Sequence, residues 1–247
     1  MKGLAEDIEF KTLTERIARL LRDDILRGRW KPGVKLRVDE LGAVYGVGGS
    51  PVREALSRLT SLGLVSAEGQ RGFSVAAISV DDLLDLTRTR IWVESLALRS
   101  AMVRGDRAWE AAILAAAHML GREQPKLDKD HLVGHDPVWE KHHRAFHAAL
   151  VSACASQRIL SYREVLYDLS DRYRQLSVAN GKPNRDAKIE HDAITEAVLR
   201  RDAELATKLI AEHFLLTARI VLTNITDLAG SAASLIEKLH SEVCLHK

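Results

Sequence analysis

Four of the ten histidines in this 247-residue chain are spaced in a way that suits metal chemistry. His143 and His147 stand four apart in HHRAFHAAL, so on a helix they share one face. His191 opens HDAITEAV, 44 residues after His147, and His213 follows 22 residues later in AEHFLLTARI. Each lies among apolar neighbours in a stretch of helical period, so three helices would each turn imidazole inward. Neutral imidazoles are good ligands for Zn, Ni and similar ions, and facing helices of a bundle can assemble such a centre. His142 points elsewhere on its helix and is the weaker candidate. The bland alternative is that these histidines fill a core or sit on a surface.

A second stretch, YGVGGSPVREAL at 45–56, specifies a helix start. Pro51 suits the first helical position, because its missing N–H has no partner there. Ser50 before it is placed to cap the open N–H groups. Arg53 then falls on the first turn, where a guanidinium could pair with both acceptors of a guanine. Helix N–H groups at such a tip attract phosphate, and Ser50 could bond one as well as cap. Farther on, Gly69-Gln70-Arg71-Gly72 is a turn between two short alternating runs. Arg71 and Gly72 stand at its tip, where Arg71 could reach an adjacent minor groove or the backbone. Taken singly, each of these is an ordinary surface residue; their order along the chain carries the argument.

These residues must be positioned by elements, and the periodicities supply them. Thr12 and Glu15 have capping-box spacing, and Leu13, Ile17, Leu20, Leu21 and Ile25 recur with helical period. Gly28 and Pro32-Gly33 end that helix in a turn. A short helix at 38–45 follows, then a third at 51–62 stopped by Gly63, then a two-stranded ribbon with Val65 and Ala67 in one arm and 73–76 in the other. Three helices and a ribbon describe a winged helix-turn-helix, whose third helix enters a major groove. From the Ser79 cap onward only helical periods occur, with spans predicted at 80–104, 107–122, 137–155, 157–178, 184–200, 202–226 and 230–243, and a polar loop at 123–136. The reading is a mainly α chain: a winged helix-turn-helix over 1–77 and an all-helical bundle over 78–247.

Composition sets limits. The formal net charge is only +2, but residues 1–76 carry 13 basic against 10 acidic side chains and the remainder 23 against 24. That mild basic bias permits nucleic-acid binding at the N-terminal end without demanding it. The longest apolar run, Ala111 to Ala117, is too short to span a bilayer. MKGLAEDIEF lacks an apolar signal core, and two distant cysteines, Cys154 and Cys244, offer no disulfide framework. A cytoplasmic protein with no membrane partner is expected.

The segment PGVKLRVDELGAVYGVGGSPVREALSRLTSLGLVSAEGQRGFSVA resembles the N-terminal domain of GntR-type bacterial transcription regulators, most tellingly in PVREAL at 51–56 and in RGFSV. It departs at Gly49, where the family usually has Arg two residues before the Pro. TRTRIWVESLALRSA, HRAFHAALVSACASQRIL, the run from Asp171 to Arg174, EHDAITEAVLRRD and AEHF resemble the helical ligand-binding domain, FCD, of the FadR subfamily, and within it the CsiR-like group.

The resemblance implies a ligand-responsive repressor that binds operator DNA as a homodimer. In metal-binding members an Asp and three His are ligands; those positions fall here on His143, His147, His191 and His213, with His143 in place of the Asp. A small carboxylate effector is implied, with Arg90 as its first candidate partner and Arg172 and Arg174 as secondary ones. For Arg90, a salt bridge to Glu94 on the same helix is the plain alternative. Two rival readings remain at this point: a metal hydrolase built on the histidines, and a DNA-binding protein whose helical domain only dimerises.

Overall fold

The structure is a computed structural model, and it describes residues 12–67, 72–123, 137–178, 185–225 and 229–244. The chain divides into two compact units, 1–77 and 78–247.

The first unit begins with α1 (Leu13–Leu26). Thr12 caps it, its hydroxyl accepting from the Glu15 N–H at 3.2 Å, as the spacing predicts. Ile17, Leu21 and Ile25 are buried, whereas Leu13 and Leu20 are 47% and 40% exposed; the buried stripe is thus narrower than the run of apolar residues. A short strand β1 (Lys35–Leu36) leads to α2 (Val38–Tyr45) and α3 (Gly49–Ser61). Strands β2 (Val65–Ala67) and β3 (Phe73–Val75) pair antiparallel, with Ser66 opposite Ser74. β1 pairs with β3 on its other side, so the sheet has three strands in the order β1-β3-β2 rather than the predicted two. Two residues are too few to show an alternating pattern, which is why β1 is silent in the sequence.

What fixes α3 is its underside. Val52, Ala55, Leu56 and Leu59 are buried, and α1 packs on it, with the Thr14 hydroxyl donating to Glu54 at 2.9 Å. The turn from α2 holds it from the other end. Gly46 takes φ +68, and the Val47 N–H returns to the Gly42 carbonyl at 2.9 Å. Gly42 is needed there for close approach, since a Cβ on it would stand 2.8 Å from the Val47 carbonyl oxygen.

Among the described residues the second unit is a bundle of seven helices: α4 (Val80–Arg104), α5 (Arg107–Arg122), α6 (Pro137–Val151), α7 (Gln157–Val178), α8 (Ala187–Leu199), α9 (Ala203–Ile225) and α10 (Ala229–Cys244). Ser79 caps α4 and Asp106 caps α5, each side-chain oxygen accepting the N–H three residues on. α4 runs through the bundle against α7 and α9 and also touches α6 and α10. α6 stops at Val151, four residues short of prediction, where the Cys154 N–H turns back to the Val151 carbonyl at 2.9 Å. α5 fixes α6 from outside: the buried Trp109 indole N–H donates to the Ala149 carbonyl at 3.0 Å. Cys154 is a buried free thiol.

Gly42→Ala should destabilise the first unit by about 1–3 kcal/mol, because the backbone it meets has no rotamer in which to give way. Hydrogen exchange on the full chain should show faster exchange in α2 and α3 with α4–α10 unchanged; protection equal to the parent's would refute the close-approach argument.

Candidate functional site

In the second unit the fold brings all four predicted histidines together. α6 supplies His143 and His147, α8 His191 and α9 His213, and one ring nitrogen from each lies within 4.8 Å of the others. All four are buried, none more than 6% exposed. The Nε2 atoms of His143 and His147 face one another at 3.2 Å. Trp139, one turn before His143, stacks on its ring at 4.6 Å with the planes 15° apart. On the outside of the cluster, His143 Nδ1 lies 2.9 Å from the Tyr167 hydroxyl and His213 Nδ1 lies 3.0 Å from Glu190 Oε2.

Charged groups surround the imidazoles. Arg174 donates to Glu140 at 2.6 Å and to Asp171, and its Nη1 lies 3.2 Å from His143 Nδ1. Arg185 pairs with Glu190 at 2.6 and 2.5 Å. Burial pushes Asp171 up, with the Glu140 charge adding to it, to about 6. Burial also raises Glu190, but the hydrogen bonds from His213 and Arg185 outweigh it and bring that carboxyl down to about 2. Glu190 therefore stays ionised, and His213 Nδ1 lies between its Oε2 at 3.0 Å and Arg185 Nη2 at 2.8 Å; the tautomer that donates Nδ1–H to Glu190 is the one that leaves the Nε2 lone pair for a metal.

Burial is also the largest cause holding the imidazoles below their ordinary value; Arg174 adds to it for His143 and a neighbouring histidine for His147 and His191, whereas the hydrogen bond to Glu190 opposes it for His213. His213 falls to about 4 and His191 to about 2, and His143 and His147 lie well below 6.5. Neutral imidazoles are the form that ligates metals. Two of their buried nitrogens, His147 Nδ1 and His191 Nε2, have no hydrogen-bond partner. This donor set fits a divalent cation of borderline softness.

Of the three arginines proposed for an effector, two adjoin this centre and one does not. Arg90 is buried over the Phe214 ring at 3.9 Å and the Tyr167 ring at 5.1 Å. Its Nε stands 3.8 Å from Glu94 Oε1, too far for a hydrogen bond, and both atoms lack a partner. Burial lowers Arg90 to about 10, so it remains a cation at neutral pH. Arg174 lies against His143, as described. Arg172 is buried elsewhere, its charge neighbours being Tyr173 and Asp82.

Residues absent from the sequence reading complete the centre. Arg163 is 1% exposed and donates to Glu94 at 2.9 Å, while its Nη2 lacks a partner. Tyr167, Glu140, Glu190 and Arg185 line it as well. Glu140 three before His143 and Glu190 beside His191 were discoverable from spacing; Arg163 and Tyr167 sit on α7, which bears no histidine to draw attention to it.

In the first unit the start of α3 differs from expectation. Ser50 does not cap it. The N-cap is Gly48, extended at φ −72 and ψ 170, with no side-chain cap bond, and Gly49, Ser50 and Pro51 are the first three helical residues. Proline is harmless at any of these positions, since first-turn N–H groups have no intrahelical partner. The Ser50 hydroxyl instead points to Glu54 at 3.4 Å. Arg53 is exposed, and its Nη1 lies 3.2 Å from where a Cβ on Gly49 would stand. Gly72 is exposed at φ +91, while Arg71 lies outside the described residues.

A helix-turn-helix with a small sheet in one unit, and a helical bundle with a buried polar centre in the other, define the class of winged helix-turn-helix DNA-binding proteins that carry a second, all-helical unit. Residues 13–75 match the family described as bacterial regulatory proteins, gntR family, and residues 85–216 match the FCD domain. The chain is 40% identical over 205 residues, 82% of each chain, to BphR of Paraburkholderia xenovorans strain LB400, described as an uncharacterized HTH-type transcriptional regulator. It is 36% identical over 207 residues to the HTH-type transcriptional repressor GlaR of Escherichia coli strain K12, covering 82% of this chain and 93% of that one. The solved structure of E. coli McbR/YncC shares the fold, with TM-score 0.73 and 21% identity over 88% of this chain and all of that one. The chain belongs to the GntR family of bacterial regulatory proteins, in its FCD-containing, FadR-like subfamily. It is a DNA-binding transcription regulator and not an enzyme, which sets aside the hydrolase reading. Among the described residues no helix is long and apolar enough to cross a membrane.

Because the buried imidazoles are neutral in the fold and titrate near 6.5 in the unfolded chain, the unfolded chain alone gains protons below that pH. Stability of chelator-treated protein should therefore be fully present above pH 6.5 and decline as pH falls toward about 4, the His213 value. Melting temperature against pH checks this: His213→Gln should show a shallower decline than the parent, and parallel curves would contradict the assignment.

Proposed function

We propose that this regulator is a cytoplasmic repressor that acts as a homodimer on a near-palindromic operator and answers to a small carboxylate bound beside a divalent metal. The first unit would read DNA and the second would bind effector and dimerise. One observation carries the sensing half. Every buried side-chain nitrogen or oxygen without a partner among the described residues belongs to one region: Arg90 Nε, Glu94 Oε1, His147 Nδ1, Arg163 Nη2 and His191 Nε2. Buried polar atoms are ordinarily satisfied, so a cluster of orphans points to a ligand.

His143, His147, His191 and His213 would hold the metal, with Zn or Ni suited to an all-imidazole set. When bound, the ion would supply positive charge and a coordination position for an anion. Arg90 would offer its unpaired N–H to a carboxylate, and Arg174 is a second donor within the same wall. Four neutral ligands leave the full charge of the ion uncompensated in the first shell, which favours an anionic effector over a neutral one. Repression as the sign of control is drawn from GlaR.

In the first unit, Arg53 with Ser50 and Pro51 at the tip of α3 is the proposed base and phosphate contact, with Arg71 and Gly72 of the wing beside it. The tip has no side-chain cap, so its first N–H groups are open to a phosphate oxygen. Gly49 leaves room for Arg53 to lie across the helix start and brings no cation of its own.

Arg53→Ala should weaken binding to operator fragments recovered by in vitro selection by about 1–3 kcal/mol. Unchanged affinity in fluorescence anisotropy would remove Arg53 from the contact. A thermal-shift screen of small dicarboxylates with added Zn or Ni should find one that raises the melting temperature by roughly 5–10 °C at a hundred times its Kd. Arg90→Gln should abolish that rise; a rise retained in full would exclude Arg90 as the anchor.

A further inference from the structure

A histidine ligates through one ring nitrogen only when the proton resides on the other, and an acceptor behind that proton fixes the choice. For His213 the acceptor is Glu190 in direct contact at 3.0 Å, with Arg185 Nη2 at 2.8 Å competing for the same Nδ1. His143 has a longer arrangement. Its Nδ1 is 2.9 Å from the Tyr167 hydroxyl, and that hydroxyl donates to Glu140 Oε1 at 3.1 Å, whereas Nδ1 and Glu140 stand 3.8 Å apart. Once the hydroxyl proton goes to the carboxylate, the Tyr167 oxygen is left to accept Nδ1–H. The lone pair of His143 then sits on Nε2, the atom facing His147.

Arg174 Nη1 competes for the same Nδ1 at 3.2 Å. A guanidinium only donates, so this contact needs the lone pair on Nδ1 and puts the proton on Nε2, where it blocks a cation. Trp139 stacked on the ring keeps it in place, so His143 chooses between two tautomers rather than two orientations.

We propose that Tyr167, backed by Glu140, is the positioning residue that makes His143 a metal ligand, holding its Nδ1–H and setting a carboxylate behind an uncharged imidazole. The inference rests on the four-histidine metal reading above. Tyr167 is 1% exposed, and its ring also faces the guanidinium groups of Arg90 and Arg144 at 5.1 and 4.1 Å. Tyr167→Phe therefore removes the relay while keeping the ring that packs there.

The test is the affinity of chelator-stripped protein for Zn(II) and Ni(II), by competition with a chromogenic chelator. It compares the parent, Tyr167→Phe, His143→Asp and the double variant. Tyr167→Phe should weaken both metals by about 10–100-fold. On the His143→Asp background a carboxylate ligand has no tautomer to set, and the same change should matter by less than roughly 3-fold. A Tyr167→Phe protein within roughly 3-fold of the parent, or an equal loss on both backgrounds, overturns the proposal, the latter by assigning Tyr167 to packing. A parent protein that fails to compete with the chelator overturns the metal reading and this inference together, whereas a metal-binding parent with an unaffected Tyr167→Phe overturns this inference alone.

Discussion

The second unit depends on how charge is held inside a helical bundle. An ion taken from water into an interior costs several kcal/mol unless it is paired and hydrogen-bonded. Here Arg90, Arg163, Glu94 and Asp171 are buried, with Arg174, Arg185, Glu140 and Glu190 half-buried beside them. Three of these cations have a carboxylate at hydrogen-bonding distance. The fourth, Arg90, has Glu94 only at 3.8 Å, because the other oxygen of Glu94 is committed to Arg163. The imbalance is thus local, and it falls where four imidazoles meet. A core built for stability alone would have apolar residues in these places. α4, α5 and α8 are capped by Ser79, Asp106 and Asp186, and α4 has core neighbours on several sides, so the bundle can tolerate an interior that is polar on one stretch.

The first unit handles charge in the opposite way, by keeping it outside and selectively tied. On α3, Glu54 accepts from Thr14 and Ser50, and Arg58 is turned back toward Glu15 at 3.8 Å. Arg53 forms no ion pair among the described residues and lies over the helix start. The apolar underside of α3 and the tight turn at Gly42 hold the helix still, so the Arg53 guanidinium is displayed from a rigid base. An exposed cation at the tip of a fixed backbone is suited to a partner whose charge is distributed along a groove.

The sequence made much of this legible, and the reasons differ by level. Capping residues and apolar periods are local, so α1, α2 and α4 can be read from spacing alone, and the histidines could be grouped because all four share one residue type in helical stretches. Failures occur where the deciding contact is distant or the signal degenerate. β1 is two residues long and exists because β3 offers an edge. Ser50 carries a capping side chain, yet the extended backbone of Gly48 starts the helix earlier, and no pattern rule ranks the two. Arg172 and Arg174 are two apart on α7 and look equivalent in one dimension; the helical turn sends one to His143 and the other toward Asp82. Arg163 and Tyr167 read as ordinary members of an amphipathic helix, and only the packing of α7 on α4 and α6 gives them their neighbours.

If the four histidines hold a metal as proposed, the histidine at 143, where the family resemblance implies an aspartate, has a consequence beyond the ligand itself. A carboxylate ligand brings its negative charge into direct contact with the ion, and an imidazole brings none. The charge is still present in this protein, but it stands one hydroxyl further out, on Glu140, where Arg174 also draws on it. An ion held by four neutral nitrogens therefore presents more of its charge to whatever approaches from the open side. In the proposed centre an anion and a metal would favour one another's binding electrostatically, and by linkage any such support is equal in both directions. Under the proposed metal reading, a ligand set without a carboxylate would make occupancy by metal more dependent on an anion than in a site containing aspartate.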